Sequence, residues 1–317
     1  MLNLRQIKND IIYVFIRALI FMLENLPRIA ALRVSGMIGE IAAMIDIKER
    51  KLAEQNLKRV YGGRWSDTKI NFVARECFVK IALNGADVIQ SRNWTADDLR
   101  KLVDVEGMEH FDRAFKRGKG VVGITGHIGN FELLAAWFAA VKKIPLSVIG
   151  RRLYDDRLDQ LIVQNRQRFG IENIPSDASA KTVFSALKMG RMLGVLIDLD
   201  SSKIAGEFVP FFGVPAKTAS GPIVIGRRTA SPVVPMAMFR TEDDRFKIRI
   251  LPSFDIPQTE DKEADVLEAL TLCNRAMEEL INFDPTQWAW IHNRWKSKPS
   301  EADGVEEKPE EVGLSAS

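Results

Sequence analysis

The feature that most constrains this 317-residue chain is a change of period near residue 100. Before it, apolar residues recur at steps of three and four through 29–45, 48–60 and 68–91, with Gly62-Gly63 as a break, which is helical spacing. After it, short runs rich in Val, Ile and Leu alternate with helical segments. The runs at 102–105, 121–125, 146–149, 193–197, 233–239 and 246–251 read as strands. The stretches near 108–117, 130–142, 155–169, 178–190, 219–229 and 262–282 read as helices. Strands separated by helices predict an α/β fold in which N-terminal helices precede an α/β/α layered domain with a mostly parallel sheet. The expected division is a helical region over 1–95, an α/β domain over 96–298, and an acidic tail over 299–317 that lacks aromatic residues and reads as disordered.

Composition narrows the function classes. With 46% apolar and 27% charged residues, wholesale disorder is excluded. The two cysteines, Cys77 and Cys273, form no C-x-x-C pair and join no Cys/His cluster, so a reducing compartment is expected, with no disulfide framework and no structural zinc. Each thiol reads as a small buried apolar side chain. The tail carries six acids against one lysine, net −5, which leaves +8 on residues 1–298 for a chain total of +3. A moderately basic body suits an anionic partner: a phospholipid surface, a phosphorylated substrate or an acidic protein. The excess is too thin and too scattered to indicate nucleic acid.

Residues 11–23, IIYVFIRALIFML, hold a single charge, Arg17. As a helix they reach about 20 Å, short of the roughly 30 Å hydrocarbon core of a bilayer. Asp10, Arg17 and Glu24 are seven apart and share one thin polar stripe. Such a helix lies in a membrane interface, spans with help, or packs in a core, and the pattern leaves all three open. The nearby Arg5, Lys8, Arg28 and Arg33 favour anionic lipid. Because Arg17 interrupts the apolar run and no small-residue cleavage site follows it, the segment does not read as a secretory signal.

The sharpest site signal is GVVGITGHIGNFELLAAWF, residues 120–138. A strand leads into Gly126-His127-Ile128-Gly129-Asn130, and a helix follows with Asn130 as its N-cap. Functional groups of open α/β sheets gather beyond the carboxyl ends of the strands, where His127 falls. With His127 in the loop and Glu132 in the first helical turn, the carboxylate can set the tautomer and basicity of the imidazole. No serine or cysteine adjoins the pair in sequence, so a substrate hydroxyl is the simpler nucleophile and direct group transfer the favoured chemistry. The alternative is a polar turn residue followed by an ordinary acid at a helix start.

Further residues suit an anionic, greasy substrate. Arg151 and Arg152 follow the strand at 146–149, where guanidinium groups can hold phosphate. Asp198 and Asp200 follow the strand at 193–197. In GEFVPFFGVPAKTASG, residues 206–221, Phe208, Phe211 and Phe212 lie between glycine and proline turn signals and read as an aromatic loop suited to a hydrocarbon chain, or as core. Lys217 precedes a helix expected near Ser220, a place for an anion. The run 288–296, WAWIHNRWK, suits either a membrane interface or the core. No P-loop or dinucleotide fingerprint is present in the sequence.

Taken in order, RKLAEQNLKRVY (50–61), GHIGNFE (126–132), RRLYDDRLD (151–159), GVLIDLD (194–200), FVPFFGVPAKTASG (208–221) and PTQWAWIHNRWK (285–296) resemble the late acyltransferases of lipid A biosynthesis, the lauroyl/myristoyl transferase branch of the lysophospholipid acyltransferase superfamily. The resemblance covers most of residues 1–297. It implies His127 as general base with Glu132 as its partner in a His-x4-acid motif. Arg151 matches the arginine of the second block and Asp198 the acid of the third. It also implies an acyl thioester donor, acyl carrier protein or acyl-CoA, and a hydroxyl of a membrane glycolipid such as a lipid A precursor as acceptor. The implied place of action is the cytoplasmic face of the inner membrane. No metal or redox cofactor is implied. Two departures stand out: Leu199 follows Asp198 where the family usually has Gln, and Arg152 stands where a proline often follows the arginine. Other acceptors (a lysophospholipid, a glycolipid mannose, an ornithine-type lipid) remain open, as do a non-catalytic lipid-binding role and a hydrolase.

Overall fold

The computed structural model describes residues 4–299 apart from 151, 154 and 201–203. Four helices come first: α1 (Leu4–Asn25), α2 (Arg28–Ile45), α3 (Ile47–Tyr61) and α4 (Asp67–Gln90). The Ser66 side chain caps α4 by accepting from the Lys69 N–H at 3.3 Å. Buried Asp87 on α4 is paired by Arg28 of α2 at 2.7 Å, so Arg28 is committed to the protein rather than free for lipid. The expectation of a lipid-facing Arg28 is corrected on that ground.

After α5 (Ala96–Leu102) comes a seven-stranded sheet. Its strands are β1 (Val103–Glu106), β2 (Val121–Thr125), β3 (Leu146–Gly150), β4 (Glu172–Pro175), β5 (Met192–Leu196), β8 (Val233–Arg240) and β9 (Phe246–Ile250), in the order β1-β9-β8-β2-β5-β3-β4. Every neighbouring pair is parallel except β8–β9. The central strands β2 and β8 are buried along their whole length, as the unbroken apolar run of β2 requires. Helices α6 (Met108–Phe115), α7 (Phe131–Ala136), α8 (Asp156–Arg168), α9 (Ala180–Lys188), α10 (Gly221–Thr229) and α11 (Lys262–Phe283) connect the strands, and two apolar clusters fill the two faces of the sheet. The expected α/β architecture with a mostly parallel sheet is therefore present.

Three segments change or narrow the expectations. Residues 206–219 are a β-hairpin, β6 (Gly206–Phe211) with β7 (Val214–Ala219), not a loop. Phe211 is buried against Trp288 and Trp295. The tryptophan run after α11 is irregular, and Trp288, Trp290 and Trp295 are all buried, so of the two placements the sequence allows it takes the core and not a membrane interface. On α1, Ile11, Phe15 and Phe21 are 65–70% exposed, which overturns the reading of that helix as a buried one. No helix among the described residues is long and apolar enough to cross a membrane.

Candidate active site

Register places the site. β2 and β5 pair in parallel from Val121↔Met192 to Thr125↔Leu196, and the Ile197 N–H extends the ladder to the Thr125 carbonyl at 3.0 Å. The two strands thus end level, and the residues that follow them, His127 and Asp198, emerge side by side although 71 positions separate them. Beyond β2 the chain also meets the C-terminal segment. The Gly129 N–H donates to the Gln287 carbonyl, and the Ala289 N–H to the His127 carbonyl. Two glycines make this possible. A Cβ on Gly126 would fall 2.8 Å from the Asp198 carboxylate, and one on Gly129, whose φ is +53°, would collide with the Met238 carbonyl oxygen.

The carboxylate on His127 is Asp198. Oδ1 lies 2.9 Å from Nδ1, and Oδ2 accepts from the His127 backbone N–H at 2.7 Å and from Trp288 Nε1–H at 2.8 Å. Burial alone would push the Asp198 carboxyl up, yet the His127 and Trp288 donors hold it well below the usual carboxylate range. Burial depresses His127, but the charge and hydrogen bond of Asp198 outweigh it and raise the imidazole above its ordinary value, with a smaller push from Glu132. With Nδ1 occupied, Nε2 is the nitrogen available to a substrate.

Glu132 is not hydrogen-bonded to His127. It accepts two bonds from Arg166 on α8, Nε at 3.0 Å and Nη2 at 2.6 Å, and Arg166 also donates to the Asn173 side chain at 2.6 Å. The expected direct contact is therefore replaced by an Arg166–Glu132 pair, and the Glu132 carboxylate acts on His127 only through space. Nothing in the sequence marks Arg166, one of several arginines on a polar helix, and Trp288 stands out in sequence for its ring rather than its N–H.

His127 and Glu132 open on a cavity of about 500 Å³. Its walls are largely aliphatic: Ile20 of α1, Ile81, Val88 and Ile89 of α4, Leu161 and Ile162 of α8. Asn130 lines it as well, accepting from the Leu133 N–H as the N-cap and donating to the Asn84 carbonyl. The volume and apolar lining suit a hydrocarbon chain. The expected aromatic lining is corrected, since Phe208, Phe211 and Phe212 belong to the hairpin and are not part of this wall. Lys217 lies in β7, where its carbonyl accepts from the buried Arg294, so it does not sit at a helix start. Arg152 is exposed. Arg151 lies outside the described residues. Cys77 is buried behind Trp288, and burial pushes its thiol up to about 12, so it offers no thiolate.

A family model for the bacterial lipid A biosynthesis acyltransferases matches residues 3–297. The chain belongs to that family. Relatives include a lipid A biosynthesis lauroyltransferase of Escherichia coli K12, 24% identical over 284 residues, which are 88% of this chain and 90% of the relative. A palmitoleoyltransferase of the same organism is 24% identical over 264 residues, 83% of each chain. A phosphatidylinositol mannoside acyltransferase of Mycobacterium tuberculosis is 23% identical over 202 residues, 62% of this chain and 61% of the relative. Membership makes this chain an acyltransferase. In this lipid A acyltransferase family member, the Asp198–His127 pair stands beside the apolar cavity.

Proposed function

We propose that this protein moves a fatty acyl group from a thioester, carried by acyl carrier protein, onto a hydroxyl of a membrane glycolipid, a lipid A precursor. The observation that carries this reading is His127, anchored at Nδ1 by buried Asp198, at the mouth of the apolar cavity. His127 Nε2 takes the proton of the acceptor hydroxyl as its oxygen attacks the thioester carbonyl carbon. Asp198 holds the tautomer and stabilises the imidazolium that forms. Glu132, paired with Arg166, pushes the His127 imidazole in the same direction at longer range. The tetrahedral intermediate expels the thiolate, which recovers the proton from His127. No covalent enzyme intermediate is required.

Placement at the cytoplasmic face of the inner membrane is part of the same proposal. Ile11, Val14, Phe15 and Phe21 of α1 and Ile41, Met44 and Ile45 of α2 are exposed, and an apolar surface of this kind suits a lipid interface. One of these helices, α1, also contributes Ile20 to the cavity wall, which puts the exposed apolar face and the cavity on the same helix. Arg152, and Arg151 before it, are offered as contacts for phosphate on the acceptor or carrier.

The test is mass measurement of the glycolipid fraction from cells with and without the gene, complemented by wild type and His127→Ala. Wild type should add one acyl chain to a lipid A precursor, and His127→Ala should lose at least about 10²-fold of the activity. Unchanged turnover in His127→Ala refutes the mechanism. A second reading, favoured by the phosphatidylinositol mannoside acyltransferase relatives, has a sugar hydroxyl of another glycolipid as acceptor; the same measurement separates the two.

A further inference from the structure

His292 has no part in the mechanism so far, yet it stands against the reacting imidazole. The two ring centroids are 4.6 Å apart with the planes at 68°, and both residues line the same cavity. The chain holds three histidines, and the third, His110, is on α6. The His292 main chain is held from two sides. Its carbonyl accepts from the Asn56 side chain at 2.9 Å, a buried amide on α3 that also donates to the Trp290 carbonyl at 2.8 Å. Its N–H donates to the Ala289 carbonyl at 3.0 Å. The ring has no such tie: among the described residues, neither nitrogen makes a hydrogen bond. The side chain is thus fixed at its root and uncommitted at its tip.

We infer that His292 is a catalytic residue for this reaction, the donor whose ring N–H receives the oxyanion of the tetrahedral intermediate while His127 holds the acceptor's proton. The inference rests on the acyl-transfer reading and adds a role to it. As the hydroxyl oxygen bonds to the thioester carbon, the carbonyl π pair moves onto the carbonyl oxygen, and the hydroxyl proton passes to His127 Nε2. The His292 N–H hydrogen-bonds the new oxyanion. On collapse the pair returns to form the ester carbonyl, the C–S bond breaks, and the thiolate takes the proton from His127. Ester and thiol are the products, and neither histidine is changed.

The charge state fits. Burial pushes His292 below its ordinary value, and the neighbouring His127 pushes it the same way. A neutral ring donates one N–H without placing a second cation beside His127, where like-charge repulsion would oppose proton uptake. A donor already in place costs no reorganisation as charge develops, which is where most of such a group's effect arises. A neutral imidazole is sufficient for polarising a carbonyl.

The test uses the full-length enzyme in detergent, acyl carrier protein charged with a lauroyl thioester, and tetraacylated lipid A precursor, with thiol release as the signal. His292→Ala should lower kcat about 10²–10³-fold, the scale for losing one oxyanion donor, with both KM values within about threefold. His292→Gln, which keeps an N–H near that position, should recover at least about tenfold over His292→Ala. The rising limb of the pH profile should stay where wild type has it, because the base is His127. Both variants keep the main-chain bonds to Asn56, and their unfolding midpoints should stay near wild type. Undiminished kcat in His292→Ala overturns the inference, as does a loss confined to acceptor KM, which would make His292 a binding group. Disappearance of the rising limb in His292→Gln also overturns it, by making His292 the base. Wild-type protein inert toward the thioester with every acceptor tried brings down the proposed function and this role together.

Discussion

Replacing Asp198 by asparagine separates the carboxylate that the fold places on His127 from the one five residues away in sequence. The side chain is buried, and its Oδ1 is 2.9 Å from Nδ1. Two unit charges with centres about 4 Å apart attract by about 4 kcal/mol at an effective dielectric constant of 20. At about 1.4 kcal/mol per factor of ten, losing that attraction for the imidazolium lowers kcat about 10³-fold. The amide does further harm. Its carbonyl oxygen can keep the bonds from the His127 and Trp288 N–H groups, which turns its NH2 toward Nδ1 and forces the proton onto Nε2, leaving no base toward the cavity. The expected loss is therefore about 10³–10⁴-fold, read as thiol release from acyl carrier protein under single-turnover conditions. The pH profile gives an independent sign. Wild-type His127 titrates above its ordinary value, so activity should rise with pH through a midpoint above about 6.5. Without Asp198 the remaining influences are burial, which lowers the imidazole, and the weaker push of Glu132, so residual activity should rise at lower pH. Asp198→Asn enzyme with kcat within tenfold of wild type and an unmoved limb would refute the assignment of Asp198.

Other perturbations follow from the same geometry. Glu132→Ala leaves Arg166 without its carboxylate, and breaking the pair should cost about 3 kcal/mol in urea unfolding, the low end for buried pairs because the two side chains retain 16% and 18% exposure. An Arg166→Met, Glu132→Leu double variant should regain most of that stability but not the activity. Gly85 of α4 lines the cavity, and a Cβ added there would meet nothing within 4 Å, so Gly85→Leu should fold normally and shift donor preference toward shorter acyl chains, measured by competition between thioesters of different length. Gly129→Ala should cost at least about 3 kcal/mol, since it joins a positive φ to a clash with the Met238 carbonyl. Asp198 titrates below its unfolded value, so its stabilisation is present above about pH 4 and lost as pH falls below it; Asp198→Asn should flatten that part of a curve of unfolding midpoint against pH.

Much of the fold is legible from periodicity, because strand and helix patterns alternate cleanly and β2 reads residue for residue. The hairpin at 206–219 is not, because Gly and Pro are ordinary loop signals. Here Pro210 and Pro215 face each other across a two-stranded ribbon, where a missing N–H is tolerated. β4 is short and polar at its start, so no apolar run announces it. His127 is legible from its place at a strand end. Its partner is not, because proximity in sequence favours Glu132 while the contact depends on β2 and β5 being parallel neighbours in register. Arg166 looks like any other arginine on a polar helix until the backbone brings α8 beside α7.

Under the proposed mechanism, the site's charges give the two carboxylates separate tasks. Glu132 is matched by Arg166, so that pair is neutral before and after the reaction. Asp198 is matched by N–H dipoles alone until His127 takes a proton, when a net charge of −1 on the Asp198–His127 pair becomes zero. In the same step the thioester oxygen gains −1. The total in the buried region is unchanged; negative charge in effect moves from Asp198's surroundings to the oxyanion. A transition state that redistributes charge without adding to it avoids most of the penalty for burying an ion. Were Glu132 the Nδ1 partner instead, Arg166 would already neutralise it. The imidazolium would then be balanced only by the oxyanion across the reacting atoms, with no net negative charge at Nδ1 to stabilise it. The geometry that sets Asp198 on His127 and Arg166 on Glu132 is the arrangement in which proton transfer to the histidine is electrostatically easiest.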